Sequence, residues 1–121
     1  MTASAEIREY YVVNLSHASR ATPFITVWRP ECKGYAWPLS WAGKYPEDEV
    51  LAHLDYYNGG DNVAVPCEVL DAMAVETPPG MVDNNAGPVV LSNKANWDTV
   101  LAAVILPPKR PCKPKYPTKR K

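Results

Sequence analysis

The sequence has few of the residues from which metal and disulfide sites are built. It contains three cysteines and two histidines among 121 residues, and it has no Cys-x-x-Cys pair. Cys32, Cys67 and Cys112 are odd in number and widely spaced, which argues against a zinc site and against a disulfide framework. Cysteines of this kind are typical of a reducing compartment, so the sequence predicts a cytoplasmic protein.

The sequence also lacks the short motifs of catalysis. It has no GxGxxG, no phosphate-binding loop and no Gly-x-Ser-x-Gly elbow around a nucleophile. His53 and Glu49 have the four-residue spacing of a two-residue metal contact on a helix, but no third ligand has useful spacing, so a solvated helix face is favoured. Cys67 has apolar neighbours and is predicted to be a buried, inert thiol. We therefore expect no catalytic residue, no metal, no cofactor and no enzymatic activity.

Long apolar segments are missing as well. The longest aliphatic run, 100–106, is far too short to cross a bilayer. The first six residues lack the basic start and apolar run of a signal peptide. These features predict a soluble protein without a membrane partner.

The formal net charge of zero hides an asymmetry between the two ends of the chain. Residues 1–106 carry six basic and thirteen acidic side chains, whereas residues 107–121 carry seven basic side chains and no acidic one. Five of the thirteen prolines also lie in 107–121, a composition that cannot pack a core of its own. We predict one domain over 1–106 and a flexible, disordered basic arm over 107–121. The arm would dock on an acidic partner, on nucleic acid or on its own body.

Residue patterns in 1–106 predict an α+β fold with a small antiparallel sheet of three to five strands and two main helices. Pro38 has no amide to donate, so the strand around it should lie at a sheet edge. Pro46 followed by three acidic residues is typical of a helix start, and Ser92 or Asn93 is predicted to cap the last helix. The predicted strands are 10–15, 23–29, 35–39, 62–65 and 89–91, and the predicted helices are 46–58, 67–73 and 93–105. A strand over 69–75 is the alternative to the second of these helices.

Aromatic residues are concentrated in the stretch 34–57. For Trp37, Trp41 and Tyr45 a core position and a binding surface are about equally favoured, because the residues around them are small and polar. We expect these three rings to anchor a partner. Nearby carboxylates would face a basic partner surface: Glu47, Asp48, Glu49, Asp55 and Asp61.

The basic arm offers a second mode of binding. Interleaved lysine and arginine side chains are typical of segments that contact nucleic acid phosphates. The residues concerned are Lys109, Arg110, Lys113, Lys115, Lys119, Arg120 and Lys121.

Three stretches carry a resemblance: Trp37-Pro-Leu-Ser-Trp-Ala-Gly-Lys-Tyr45, Ala52-His-Leu-Asp-Tyr-Tyr-Asn58 and Val65-Pro-Cys67. In them the chain resembles small uncharacterised proteins encoded by bacteriophages and prophages. Proteins of that class often bind and block a host machine, including restriction and CRISPR complexes. The resemblance implies this behaviour, and a host cell's cytoplasm as its place, but transfers no functional residue.

We therefore expect a small phage-type binding protein that inhibits or adapts a host nucleic-acid-handling complex by covering part of its surface. One alternative is a nucleic-acid-binding accessory protein that acts through the arm. Another is a small nucleotide-binding protein or enzyme that uses the aromatic pocket together with His53 and nearby acids.

Overall fold

The structure, a computed structural model of the chain, describes residues 8–77 and 87–117. Within these residues an antiparallel sheet is combined with helices on both of its faces, which confirms the predicted α+β class. The strands are β1 (Glu9–Asn14), β2 (Thr26–Trp28), β3 (Tyr35–Ala36), β4 (Tyr45–Pro46) and β5 (Asn62–Pro66). The helices are α1 (Glu47–Ala52), α2 (Leu54–Tyr57), α3 (Cys67–Met73) and α4 (Lys94–Ala102).

Strand β1 is the centre of the sheet. It pairs with β5 along one edge, and its other edge is shared by β4 at Tyr10 and by β2 at Val13. Its run of β-branched and aromatic residues suits a strand that is buried on both faces. Strand β3 pairs with β2 and, within the described residues, with no other strand, so the edge position predicted from Pro38 is confirmed.

The face of the sheet that carries α3 and α4 holds the larger part of the core. Alternate residues of β1 point to this face, as the period of two requires. Leu70 of α3 and Trp97 of α4 are fully buried against them. The cluster also includes Tyr11, Val13, Leu15, Ile25, Val27, Leu39, Val63, Val65, Cys67, Val90 and Val100.

The opposite face carries α1 and α2. Trp28, Tyr45 and Tyr57 pack here with Val50 of α1 and with Tyr10, Val12 and Ala64. This cluster is rich in aromatic rings, and its ring contacts are edge-on or tilted, the arrangement that ring quadrupoles favour. We call this side of the sheet the α1/α2 face.

The single helix predicted over 46–58 is wrong in one respect, because it breaks into α1 and α2 at His53. The His53 amide closes α1 on the carbonyl of Val50, while its own carbonyl accepts from the amides of Tyr56 and Tyr57 and opens α2. His53 thus ends one helix and begins the next. Burial of Tyr57 beneath Trp28 and Tyr45 accompanies this break, so tertiary packing overrides the local helical pattern.

Two other helix predictions agree with the structure, and one strand prediction does not. The helix over 67–73 is confirmed against the competing strand, and Asn93 caps α4 by accepting from the Asn96 amide at 2.8 Å. The strand predicted over 89–91 is only a pair of isolated bridges, to Phe24 and to Val75. Most of the predicted loop 77–88 lies outside the described residues.

The last helix ends earlier than predicted. Helix α4 stops at Ala102, and the Ile105 amide instead donates to the carbonyl of Ala64 at 2.9 Å. The chain after α4 therefore hydrogen-bonds to β5 and does not continue the helix. None of the described residues belongs to a helix that is both long and apolar enough to span a membrane.

Residues 107–117 contain no helix or strand, as expected of the arm, and they lie against the body. Cys112 and Tyr116 are half-buried against the core cluster of α3 and α4. The Asn58 side-chain amide donates to the carbonyl of Leu106 at 2.8 Å and holds the start of the arm. This segment thus contacts the body, one of the three partners considered for the arm.

Candidate interaction surface

Tyr45 is not a surface anchor, and this part of the sequence interpretation is corrected. Its side chain is 5% exposed. The Tyr45 hydroxyl donates to the Arg29 carbonyl at 2.5 Å and accepts from the Cys32 amide at 3.0 Å. Burial is the main cause that raises its pKa to about 12. Tyr45 therefore fastens the turn 30–33 to the sheet and is unavailable to a partner.

Trp37 lies half-buried at the open end of the α1/α2 face. Its indole donates to the Thr26 hydroxyl at 3.2 Å, and Phe24 packs against it edge-on at 5.2 Å. Tyr35, which is 45% exposed, pairs with Trp28 across the sheet and contacts the ring of His17 at 4.5 Å. Trp37, Thr26, Tyr35 and His17 line an open cavity of about 350 Å³. Helices α1 and α2 do not line this part of the face.

Trp41 does not line the same cavity. It lies in the 3-10 turn Leu39–Trp41, whose Leu39 packs on the α3/α4 side. The Arg29 guanidinium sits 5.0 Å from the centre of the Trp41 ring and donates from Nε to the Tyr35 carbonyl at 2.8 Å. Arg29 therefore links the two tryptophan environments at the edge strand β3.

We name the group His17, Arg29, Tyr35, Trp37 and Trp41 the aromatic rim. Its members lie near the edge strand β3, on both sides of the sheet. Tyrosine, tryptophan and arginine are the residue types enriched where proteins bind one another most strongly. The sequence predicted Trp37 and Trp41 as anchors and placed Tyr35 in the same aromatic stretch, but it did not predict His17 or Arg29 at this surface. Arg29 could be noticed in the sequence as the last residue of the predicted second strand. Its position over the Trp41 ring depends on the tertiary fold and could not be predicted.

The three acidic residues at the start of α1 differ in their availability. Glu47 accepts from the Tyr10 hydroxyl at 3.0 Å, and Glu49 accepts a short hydrogen bond from the Tyr57 hydroxyl. Burial is the main cause that raises the pKa of Tyr57, and the hydrogen bond to Glu49 adds to it. Asp48 is exposed, and within the described residues its carboxylate accepts a hydrogen bond from the neighbouring Glu49 amide alone, at 2.9 Å. Asp48 is therefore the residue of this group that can face a partner without disturbing the core.

The structure brings Asp55 and Asp61 together with the start of the arm. They line an open cavity of about 490 Å³ with Tyr56, Asn62, Lys109 and Arg110. We call this cavity the polar cleft. Gly60, beside it, has a positive φ of 133°, and the Arg110 carbonyl lies where a Cβ atom would be. The backbones of Gly60 and Arg110 approach closely, and this contact fixes the position of the arm where it forms one wall of the cleft.

A chain of side-chain hydrogen bonds connects the polar cleft with the aromatic rim. Asn62 accepts from Trp28 at 3.0 Å and from Asn14 at 2.6 Å. Asn14 in turn accepts from the His17 backbone amide at 2.7 Å, and its oxygen lies 2.5 Å from the His17 ring nitrogen Nδ1. Asn14 is buried, so this network has to be satisfied internally. It crosses three strands and holds both sites in a fixed relation.

The remaining arm residues lie elsewhere. Lys113 and Lys115 are exposed, and neither forms an ion pair with any residue in the described part of the chain. Lys119, Arg120 and Lys121 lie outside the described residues.

His53 is exposed, and its ring packs edge-on to Tyr57 at 6.5 Å. It does not line the polar cleft. Cys67 is buried, and burial is the main cause that raises its pKa to about 12, so this thiol stays protonated at neutral pH. Across 8–77 and 87–117 there is no group of three or more metal-ligating side chains.

Fold and surface together define a small α+β protein with an aromatic rim at a sheet edge and a charged cleft beneath its arm. Comparison of the chain with protein-family profiles, with curated protein sequences and with solved structures finds no match.

Proposed function

We propose that this protein acts by binding, as a small phage-type inhibitor or adaptor that covers a surface of a host nucleic-acid-handling complex. The observation that carries the proposal is the composition and exposure of the aromatic rim. Tyr35 is exposed, Trp37 and Trp41 are half-buried, and Arg29 is held over Trp41 by a second contact to the backbone. Side chains already held in place lose little freedom on binding, which favours affinity.

The charge of the body supports a basic partner surface. Asp48, Asp55 and Asp61 are exposed carboxylates on or beside the α1/α2 face. Proteins that handle nucleic acids present basic surfaces to phosphates, and exposed carboxylates attract such surfaces and speed their encounter. The phage origin and the host complex rest on the resemblance of residues 37–45, 52–58 and 65–67.

The proposal is tested by affinity capture from a bacterial host lysate, followed by measurement of the dissociation constant for the captured complex. Trp41→Ala is expected to weaken binding by about 30-fold, since anchor residues of this type contribute about 2 kcal/mol or more. Leu101→Ala is the matched control. Leu101 is also apolar and is 41% exposed, and it lies on α4, outside the aromatic rim.

A pair of charge-reversal variants gives a second measurement. Asp48→Lys is expected to slow association with the captured partner, whereas Glu76→Lys changes the net charge equally at an exposed position away from α1. The proposal is wrong if Trp41→Ala and Asp48→Lys, shown to be folded, bind as their controls do. It is also wrong if the captured partner handles no nucleic acid.

A second candidate function is nucleic-acid binding through the arm, favoured by the exposure of Lys113 and Lys115 without ion-pair partners in the described part of the chain. Because residues 107–117 pack on the body, charge removal tests this candidate better than deletion. Replacing both lysines by glutamine should weaken binding of a labelled oligonucleotide and flatten its salt dependence. Unchanged binding would eliminate this candidate.

A further inference from the structure

The polar cleft contains a side-chain amide whose orientation is fixed by its neighbours. The indole N–H of Trp28 can only donate, so the Asn62 atom that lies 3.0 Å from it has to be the oxygen. The same oxygen accepts from Asn14 at 2.6 Å. Asn62 Nδ2 is then left as a donor, and within the described residues it has no acceptor. Asn62 lines the cleft, so a fixed and unused donor stands at its wall.

The charged groups of the cleft are also weakly engaged. Lys109 lies 3.7 Å from the Asp55 carboxylate, with both side chains 85% exposed, and such a pair contributes little. Neither Arg110 nor Asp61 forms an ion pair within the part of the chain that is described. Two cations therefore stand on the arm's wall of the cleft, with carboxylates on the opposite wall.

Tyr56 adds an aromatic platform. Its side chain is 56% exposed. The ring is supported by edge-on contacts to Trp28 at 5.3 Å and to Tyr57 at 5.2 Å. A planar ring that is supported from behind and open in front is the surface on which nucleic acid bases stack.

We propose that the polar cleft binds a single nucleotide. The base stacks on Tyr56, the phosphate is held by Lys109 and Arg110, a sugar hydroxyl donates to Asp61, and Asn62 Nδ2 donates to a base or phosphate acceptor. The cavity of about 490 Å³ lies within the range of about 300 to 1,000 Å³ that is usual for small-molecule sites. Inorganic phosphate, or an amino acid without an aromatic ring, would leave the stacking surface of Tyr56 unused.

The test is a titration of the full chain, followed by amide NMR shifts, with adenosine, guanosine, cytidine and uridine 5′-monophosphates. Adenosine lacks the phosphate and inorganic phosphate lacks the base, and both serve as ligand controls. At least one nucleotide should shift the amides of 55–62 and 109–110 and bind more tightly than either control. A short oligonucleotide of the same base distinguishes a free nucleotide from a strand, because tighter binding per site by the oligonucleotide would reassign the cleft to nucleic acid.

Variants locate the site. Arg110→Gln should weaken nucleotide binding by about tenfold, as expected for loss of a charged hydrogen bond. Arg20→Gln removes the same charge at an exposed position outside the cleft and should leave nucleotide binding unchanged. Tyr56→Ala should weaken nucleotides and leave inorganic phosphate unaffected. No shift with any nucleotide overturns the proposal, as does equal binding of phosphate and nucleotide or a Tyr56→Ala variant that binds normally. Capture of a protein partner is a separate readout, so this proposal and the proposed function can fail independently.

Discussion

Docking of the arm can be tested at Gly60 with a single methyl group. A Cβ atom at this position would lie 1.7 Å from the Arg110 carbonyl oxygen, which no real contact allows. Gly60 also has a φ of 133°, a backbone conformation that costs about 1 to 3 kcal/mol for other residues. Gly60→Ala therefore combines backbone strain with a clash against the arm.

Gly34 offers a matched control. Its φ of 107° imposes similar strain, but an added Cβ would meet only the Arg29 side chain at 3.7 Å, which is ordinary contact. Gly34→Ala should then cost the strain alone, about 1 to 3 kcal/mol. Gly60→Ala should cost about 1 to 3 kcal/mol more, because displacing the arm breaks the hydrogen bond from buried Asn58 to the Leu106 carbonyl.

The free energy of unfolding is measured by urea denaturation, and trypsin cleavage after Lys109 reports whether the arm is detached. Gly60→Ala should be cleaved there faster than Gly34→Ala. In chains that end at residue 106, the two substitutions should become equal in cost. Equal destabilisation in the full chain, with equal cleavage after Lys109, would refute the view that the arm packs over Gly60.

Three further predictions concern the fold. The free energy of unfolding should fall as pH rises above about 9, because the folded protein holds the Cys67 and Tyr45 protons more tightly than the unfolded chain does. Tyr45 alone accounts for about 2 kcal/mol of this loss by pH 12. A urea unfolding curve that is unchanged at pH 11 would contradict this prediction. Leu70→Ala should lower the free energy of unfolding by about 2 to 5 kcal/mol, whereas Leu51→Ala, at an exposed position, should change it by less than about 0.5 kcal/mol. Equal losses of stability in the two variants would show that Leu70 is not a core residue. Asn93→Ala should cost about 1 kcal/mol through the lost cap on α4, and an unchanged thermal midpoint would show that the cap contributes nothing.

Local patterns were sufficient for much of the fold. The aromatic and β-branched run at 10–15 predicted the strand that the structure shows as β1, Pro38 predicted an edge, and Asn93 predicted a helix cap. Each of these depends on the conformational preferences of a few neighbouring residues or on a missing backbone donor, and such preferences can be read from the residues themselves.

The placement of Tyr45 inside and Tyr56 outside could not be read in that way, because both are tyrosines next to charged or small residues. Their fates depend on whether a distant segment covers them: the turn 30–33 reaches the Tyr45 hydroxyl, while the ring of Tyr56 remains 56% exposed. Composition predicted a flexible arm and left open whether it docks on a partner, on nucleic acid or on the body. In the structure Gly60 and Asn58 hold it against the body, through contacts between segments about fifty residues apart in the chain. Burial and pairing between remote segments are properties of the packed chain, so the aromatic rim and the polar cleft become visible only in the tertiary structure.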